Sequence, residues 1–365
     1  MTKTLKVVSY RKWGETMDKK KLKILLIITP IVTVLAIVLC IVIAKMDSKS
    51  EDESKSESQN ESKSEGIELD TDSVNSFAIC KDPDCVFLSN GSLCVCKNGV
   101  LMMYDPSGDC KEFDTGLDIV KGESGDKLYF IDGKGGLYGF DTESQKAELV
   151  MNGVSDVSLG GLVNGVLTTD GRLFMWGEKA GVFVGQIGDV TKPAEYKSDV
   201  HWTKIAFGTY ELLALDDNGN VYEAYLRDEK QTQFKKIEQL KDISQICSRA
   251  ETVAVSKDGT IHYWIGAFGS GSGDPMIDDP DKIEKVLNEL RPTHFSLYYG
   301  QSIAYDDKSA YFWGESGLSR TTKSADNVRS PELCRSLTDF DSIYCGGNVI
   351  FKKNGTKVTA YRLHM

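Results

Sequence analysis

The sequence predicts an all-β fold, a seven-bladed β-propeller, because one short pattern recurs seven times along the chain. Each copy is an apolar-alternating strand, a tight polar turn and a second strand that ends near an aromatic residue. The copies lie roughly 36 to 49 residues apart, which is the size of a propeller blade. Their turn markers are Gly99, Gly135, Gly171, Gly219, Gly259, Lys308 and Gly355.

The turns and strands of these hairpins support stacked blades. Turn sequences such as KNG, DNG and KDG supply the positive φ angle that tight hairpins require. In the third copy Leu173 and Met175 alternate with Phe174 and Trp176, so both faces of the strand are apolar. A sheet with two apolar faces is expected when each blade packs between two neighbours.

Further strands are predicted around the hairpins. Short apolar segments such as WTKIAFG and DISQICS precede the later copies and indicate a third strand per blade. The last hairpin ends close to Met365, so the segment 67–80 is predicted to add a strand there and close the ring. After the fifth hairpin, Asp281 and Glu284 form a capping pair ahead of helically spaced apolar residues, which predicts an inserted helix.

Three segments are predicted ahead of the propeller, which is assigned to residues 67–365. Residues 1–23 form a basic tail, residues 24–45 a transmembrane helix, and residues 46–66 a disordered stalk rich in Ser, Glu and Lys. The uncharged run 24–44 is long enough to cross the roughly 30 Å hydrocarbon core of a bilayer.

The charge around this run predicts an orientation. Lysines precede it and acidic residues follow it, so we expect a single-pass cell-membrane protein with a cytoplasmic N-terminus and an extracellular C-terminal domain. A bacterial cell-surface protein is the resulting interpretation. A cleaved signal peptide is the alternative, disfavoured by the length of the apolar run.

The overall charge argues against nucleic acid as a partner. The chain carries a formal net charge of −11, although its N-terminal tail is basic. Binding to phosphates requires clustered Lys and Arg, which the remainder of the chain does not offer.

Five of the nine cysteines crowd the first copy of the repeat, and an extracellular location would permit disulfides. Cys94 and Cys96 share one strand face and cannot readily bond to each other. A bridge between Cys80 and Cys85, or from that segment to the neighbouring strand, stays open. A zinc site is disfavoured because no CxxC pair and no nearby His supports it.

The middle and late copies resemble regulator of chromosome condensation (RCC1-like) repeats. The sequence KIAFGTYELLALDDNGNVY at 204–222 follows the first part of that repeat, and DGRLFMWGEKAGVFVGQIGD at 170–189 contains its WG step and GQxG loop. The resemblance implies a seven-bladed propeller that presents loops for protein binding. The family's His before the apolar strand is absent, and Glu211 and Glu251 stand near that position. The nuclear exchange activity of the family's namesake does not fit an acidic, membrane-anchored domain.

The residues therefore favour a membrane-anchored, extracellular protein-binding module over an enzyme. No catalytic motif, cofactor site or metal site is recognised, and the Gly-rich stretch 266–273 falls where a blade-connecting loop is expected. The predicted partners are the bilayer, through residues 24–44, and an extracellular protein or wall polymer. The candidate contact residues are Trp202, Phe183 and Phe268. The alternative is a glycan or phosphate hydrolase with its site in the central channel.

Overall fold

The structure is a computed structural model of the chain. The structure describes residues 66–69, 71–227, 233–269, 279–298, 301–314 and 328–363. All of these residues belong to a compact unit that begins at Glu65. The boundaries predicted at residues 23, 45 and 66 fall at or before its start, outside or at the edge of the described residues, and remain predictions.

The described residues form seven antiparallel sheets, which we call blades 1–7 in chain order. The first strand of the chain, β1 (Thr71–Ala78), belongs to blade 7. The strands of blades 1–3 are, in order, β2 (Cys85–Ser89), β3 (Ser92–Lys97), β4 (Val100–Tyr104), β5 (Cys110–Asp114); β6 (Ile119–Ser124), β7 (Leu128–Asp132), β8 (Leu137–Asp141), β9 (Lys146–Met151); β10 (Val154–Leu159), β11 (Asn164–Thr168), β12 (Leu173–Gly177) and β13 (Val190–Glu195). The short helix α1 (Gly181–Val184) lies between β12 and β13.

Blades 4–7 continue the pattern. Their strands are β14 (Trp202–Phe207), β15 (Glu211–Asp216), β16 (Val221–Tyr225), β17 (Lys235–Lys236); β18 (Ile243–Ser248), β19 (Glu251–Ser256), β20 (Ile261–Ile265); β21 (His294–Tyr298), β22 (Gln301–Tyr305), β23 (Ala310–Gly314), β24 (Val328–Leu333); β25 (Ser342–Gly346), β26 (Val349–Asn354) and β27 (Lys357–Leu363). The first strand of each of these four blades is the extra strand that the sequence predicted before the hairpin.

The ring closes as the sequence predicted. Strand β1 (Thr71–Ala78) pairs antiparallel with β27 and becomes the fourth strand of blade 7. The innermost strands of successive blades contact each other around the ring, including β25 of blade 7 with β2 of blade 1. The first and last strands of the described residues thus share one sheet. This pairing covers the edge of β27 that would otherwise be exposed in blade 7.

Blade 5 replaces its fourth strand with a helix. Helix α2 (Pro280–Leu290) packs against β20, and its buried residues are Ile283 and Leu287. Asn288 receives a hydrogen bond from the Ile261 N–H at 2.9 Å and donates one to the Ile261 carbonyl at 2.7 Å. Glu284 accepts the Tyr263 N–H at 2.9 Å. Side chains of the helix thus satisfy the edge of β20 as a neighbouring strand would.

The helix prediction is confirmed, but the predicted cap is wrong. The N-cap is Asp279, whose side chain accepts the Asp281 N–H, and Pro280 occupies the first turn. Pro is favoured at that position because its missing N–H is not needed there. The carboxylate of Glu284 accepts a hydrogen bond from the backbone of β20 and does not cap the N-terminus of the helix.

The two ends of the blades define two faces of the propeller. The turn face carries the hairpin turns between the second and third strands, marked by the glycines described above. The loop face carries the turns between the first and second strands and both ends of every connection from the third to the fourth strand. Strand direction alone fixes this division, since successive strands run antiparallel.

The predicted localisation is contradicted by the structure. Among the described ranges, no helix is long and apolar enough to cross a membrane. The longest, α2, has 11 residues, roughly 16 Å, against a hydrocarbon core of roughly 30 Å. The span assigned to residues 24–44 lies outside the described residues. The single-pass, extracellular and cell-surface interpretation therefore has no structural support.

Candidate binding face

The loop face differs from the turn face in the amount of chain that it carries. In blades 1 and 2 the third and fourth strands are joined by the short segments 105–109 and 142–145. In blade 3 the corresponding segment, 178–189, is longer and fully described, whereas 226–234, 266–279 and 315–327, which follow the third strands of blades 4–6, lie partly or wholly outside the described residues. Long connections on a rigid scaffold are where propellers and other β folds place their contacts. The loop face is therefore the candidate site.

The loop of blade 3 is held in one shape by its own residues. Helix α1 ends at Gly185, whose φ of 71° is favourable for glycine, and the Gln186 N–H bonds to the Gly181 carbonyl at 2.9 Å. The ring of Phe183 is buried and lies 6.1 Å from the ring of Phe234, a residue of the next blade. This anchor fixes the loop to the scaffold.

The same loop exposes apolar side chains. Val182 is 53% exposed, and Ile187 at the loop tip is fully exposed. Val182 is adjacent to the buried Phe183, and Ile187 follows the Gly185 C-cap of the same loop. Exposed apolar side chains on a loop that is tied to the scaffold are typical of contact residues, because less conformational entropy is lost when such a loop binds.

A cavity of about 640 Å³ occupies the centre of the ring and reaches the loop face. Its walls come from the first strands of blades 1, 2, 3, 5, 6 and 7 and from the turns that follow them. One side is aromatic, with Phe295, Tyr298 and Tyr344, and the opposite side contains Glu123 and Arg249. The central channel is thus open to small groups at the loop face.

An ion pair crosses this channel. Arg249 follows β18 in blade 5, and its guanidinium donates to the Glu123 carboxylate of blade 2 at 2.7 Å and to the Leu159 carbonyl of blade 3 at 2.7 Å. Backbone bonds connect the same turns, since Gly161 donates to Gly208 and Thr209 donates to Arg249. Blades 2–5 are therefore joined to one another at the loop face through Arg249.

Buried carboxylates connect neighbouring blades close to the loop face. Glu251 of blade 5 accepts hydrogen bonds from Tyr263 at 2.7 Å, from Ser302 at 2.9 Å and from the indole of Trp313 at 3.0 Å. Ser302 and Trp313 belong to blade 6, so one carboxylate joins two blades. Glu251 is 1% exposed and therefore has no role as a surface contact.

Glu211 repeats the arrangement between blades 4 and 5. It accepts the indole N–H of Trp264 and the hydroxyl of Thr252, both from blade 5. Burial, together with the adjacent carboxylate of Glu223, raises the pKa of Glu211 well above its usual range. The two acids near the position of the missing family His are thus structural connectors, and Trp264 and Trp313, at equivalent strand positions of blades 5 and 6, are among their donors.

The three predicted contact residues do not lie together. Phe183 and Phe268 are on the loop face, where Phe268 is partly buried against the ring of Trp264 at 5.1 Å. Trp202 begins β14 at the turn face, where its N–H bonds to the Gly171 carbonyl, and it is buried against Tyr222. Their role in contacting a partner remains a prediction, and for the loop of blade 3 the exposed apolar residues are Val182 and Ile187.

Two features of the site were missed by sequence reasoning. The pair Arg249–Glu123 joins residues 126 positions apart, and no local pattern links them. Ile187 could have been noticed as an aliphatic residue between two turn glycines, Gly185 and Gly188, where an apolar side chain has no strand to pack on. As to metals, the described part of the chain contains no group of three or more His, Cys, Asp or Glu side chains arranged to hold one.

Comparisons with known proteins agree with the fold. No family model matches the sequence, and no curated protein matches it. Among solved structures, human WBSCR16 is similar with a TM-score of 0.57 and 11% identity, over 78% of this chain and 88% of that chain. Prp20p from Saccharomyces cerevisiae is similar with a TM-score of 0.55 and 14% identity, over 77% of this chain and 82% of that chain.

These likenesses support the RCC1-like propeller at the level of the fold. Prp20, the yeast RCC1, was described for its binding to Gsp1p and histones, and that statement concerns Prp20p alone. At identities of 11% and 14% a shared function does not follow from a shared fold.

Proposed function

We propose that this protein is a protein-interaction module that binds its partner through the loop face of the propeller. The observation that supports this proposal most directly is the exposure of Val182 and Ile187, two apolar residues on a loop that Phe183 anchors to the next blade. Apolar residues on a loop that is anchored to the scaffold are what a protein partner would bury.

The proposal agrees with the fold-level likeness to a propeller that is described as binding proteins. It also agrees with the different construction of the two faces. The hairpin turns at Gly135 and Gly219 dock on the next blade through their backbone, whereas the loop of blade 3 presents exposed apolar side chains at the loop face.

Site-specific photo-crosslinking in the full-length protein tests the proposal. A photoreactive residue at position 187 is expected to capture one protein reproducibly from native cells, and the same residue at Lys308, exposed on the turn face, is expected not to. Val182→Ser should reduce capture from position 187 without changing thermal stability. Equal capture from both positions, or capture from the turn face alone, would overturn the proposal.

A further inference from the structure

Blade 1 brings three cysteine sulfurs to one face of its sheet. Cys85 on β2 lies directly opposite Cys96 on β3, and Cys94 lies opposite Phe87, two residues along the same strand. Residues two apart on a strand share a face, so Cys94 and Cys96 both project on the side of Cys85. All three are thiols in this structure. They belong to the cluster that packs blade 1 against blade 2.

The position of Cys85 opposite Cys96 in the ladder is compatible with the Cα separation of a disulfide. Directly opposed residues of antiparallel strands have Cα atoms about 4.5–5.5 Å apart, and disulfides span about 4.4–6.8 Å between Cα atoms. Cys94 faces Phe87 across the ladder, so it has no directly opposed thiol. The sheet register thus singles out one pair among the three cysteines.

The surroundings of the pair distinguish its two members. Cys85 is only partly buried, whereas Cys94 and Cys96 are buried. A hydrogen bond from the Cys96 thiol lowers the pKa of Cys85, and the Gly122 N–H and the charge of Lys121 act in the same direction, against burial and the charge of Asp84. Burial raises the pKa of Cys94. The thiolate is the reactive form, so Cys85 is the nucleophile of the pair.

We propose that Cys85 and Cys96 form a site of reversible oxidation, at which a small hydroperoxide converts the opposed thiols to a cross-strand disulfide. The Cys85 thiolate attacks one oxygen of hydrogen peroxide; an S–O bond forms, the O–O bond breaks, and the released hydroxide takes up a proton to become water. The Cys96 sulfur then attacks Cys85, an S–S bond forms, and the hydroxyl group leaves with the Cys96 proton as a second water. The two thiols lose two electrons and the peroxide gains them. A dithiol reductant reverses the change.

Peptide mapping of the full-length protein tests the site directly. The reduced protein is treated with hydrogen peroxide and unfolded in urea, so that the buried thiols are accessible, and remaining thiols are alkylated with iodoacetamide. After dilution the protein is digested with trypsin without reductant. Lys81 and Lys97 bound a single fragment that contains Cys85, Cys94 and Cys96. The expected product has lost two hydrogens and carries one alkyl group, on Cys94. Dithiothreitol before alkylation should return the fragment with three alkyl groups.

Matched variants sharpen the test. Cys94→Ser is expected to leave disulfide formation intact, whereas Cys85→Ser and Cys96→Ser should abolish it. In the untreated protein, Cys85 should be alkylated at least about tenfold faster than Cys94, since one pKa unit changes the thiolate fraction tenfold. Alkylation of all three cysteines after peroxide treatment, or a disulfide that includes Cys94, would overturn the proposal. If a variant does not fold, peptide mapping of the unmutated protein still shows whether the disulfide between Cys85 and Cys96 forms.

Discussion

The two faces of the propeller hold neighbouring blades together by different chemistry. At the turn face, the carbonyl of a turn glycine accepts an N–H from the first strand of the next blade: Gly135 from Val154, and Gly219 from Ile243. At the loop face, buried side chains add to the backbone bonds between turns, as Glu251 does between blades 5 and 6. A turn that docks by its backbone is constrained as a whole, whereas a side-chain contact constrains only the residues that make it.

This difference teaches why one face is suited to binding. A turn that docks by its backbone on the next blade cannot lengthen without losing that contact. The loop-face carboxylates lie at the start of the second strands. In the connection 178–189, Phe183 packs on the next blade, whereas the side chains of Val182 and Ile187 are exposed and are free to vary. We therefore expect substitution of the carboxylates to lower the free energy of unfolding most, and substitution of exposed residues in the connection 178–189 to lower it least.

Replacing Glu251 with Ala should cause the largest loss of stability. The buried hydroxyls of Tyr263 and Ser302 and the indole of Trp313 would lose their common acceptor, which predicts a loss of about 3–5 kcal/mol in the free energy of unfolding. Urea denaturation measures it. Glu251→Gln keeps one acceptor oxygen and should lose clearly less; equal losses in the two variants would show that the hydrogen bonds to Glu251 do not hold the blades.

At the turn face, Gly219→Ala should destabilise the protein more than Gly259→Ala. Both glycines have positive φ, 78° and 85°, so both substitutions strain the backbone. Only at Gly219 would the added Cβ meet the next blade, 3.0 Å from the Ile243 carbonyl, whereas at Gly259 it meets open space. We expect about 1 kcal/mol for Gly259→Ala and about 2–3 kcal/mol for Gly219→Ala.

Thermal unfolding of the two variants side by side checks this expectation. The comparison is matched because both positions are the same turn in neighbouring blades. If the two substitutions lower the melting temperature equally, the docking of the turn on the next blade does not contribute to stability. The proposed difference between the two faces would then not include the backbone contacts of the turn face.

The third prediction concerns pH and the Glu211 connector. Because the folded-state pKa of Glu211 is raised, the folded protein binds more protons than the unfolded chain once the pH exceeds the usual carboxyl pKa. This group's contribution to stability therefore falls as pH rises from that value towards the raised one. Glu211→Gln removes the titration, so its stability relative to the wild type should increase from pH 4.5 to pH 8, roughly the window that begins at the unperturbed pKa.

Chemical denaturation across this pH range measures the effect. Glu148→Gln, at an exposed glutamate of β9, is the control and should run parallel to the wild type. A pH-independent difference between Glu211→Gln and the wild type would show that Glu211 does not hold a proton in the folded protein.

The smallest effect on stability is expected for Ile187→Ser. Its side chain is fully exposed, so the free energy of unfolding should stay within about 0.5 kcal/mol of the wild-type value. Capture of the partner from a photoreactive residue at Val182 should nevertheless weaken, since the apolar contact is lost. A variant that is less stable but captures the partner as well as the wild type would show that Ile187 supports the fold and not the contact. The proposal that the loop face binds a partner would then lose its main support.

Much of the scaffold was predictable because it repeats. The seven hairpins, the first strands of the later blades and the closing strand at 71–78 are all where the pattern indicated, since a periodic pattern of apolar residues and turn glycines is local information. The helix after blade 5 was recognised for the same reason. Its cap was misassigned because Glu284 is taken by Tyr263, a contact that the local sequence does not encode.

The candidate site was predictable only in outline. A Phe in a loop suggests a contact residue, but Phe183 is covered by Phe234 of the next blade, and that ring approaches only when two blades pack. Val182 and Ile187 are less conspicuous in sequence than Phe183, although they are the exposed apolar side chains of this loop.

By itself the sequence determined the all-β repeat architecture, its blade number and the closure of the ring, because each of these follows from the period of apolar residues and from turns that only glycine readily adopts. Tertiary structure alone decided that Glu211 and Glu251 are connectors, that Arg249 reaches Glu123 across the channel, and that Cys85 opposes Cys96. Each of these depends on distance between strands or blades that are remote in sequence, and only the packed ring brings their side chains within reach of one another.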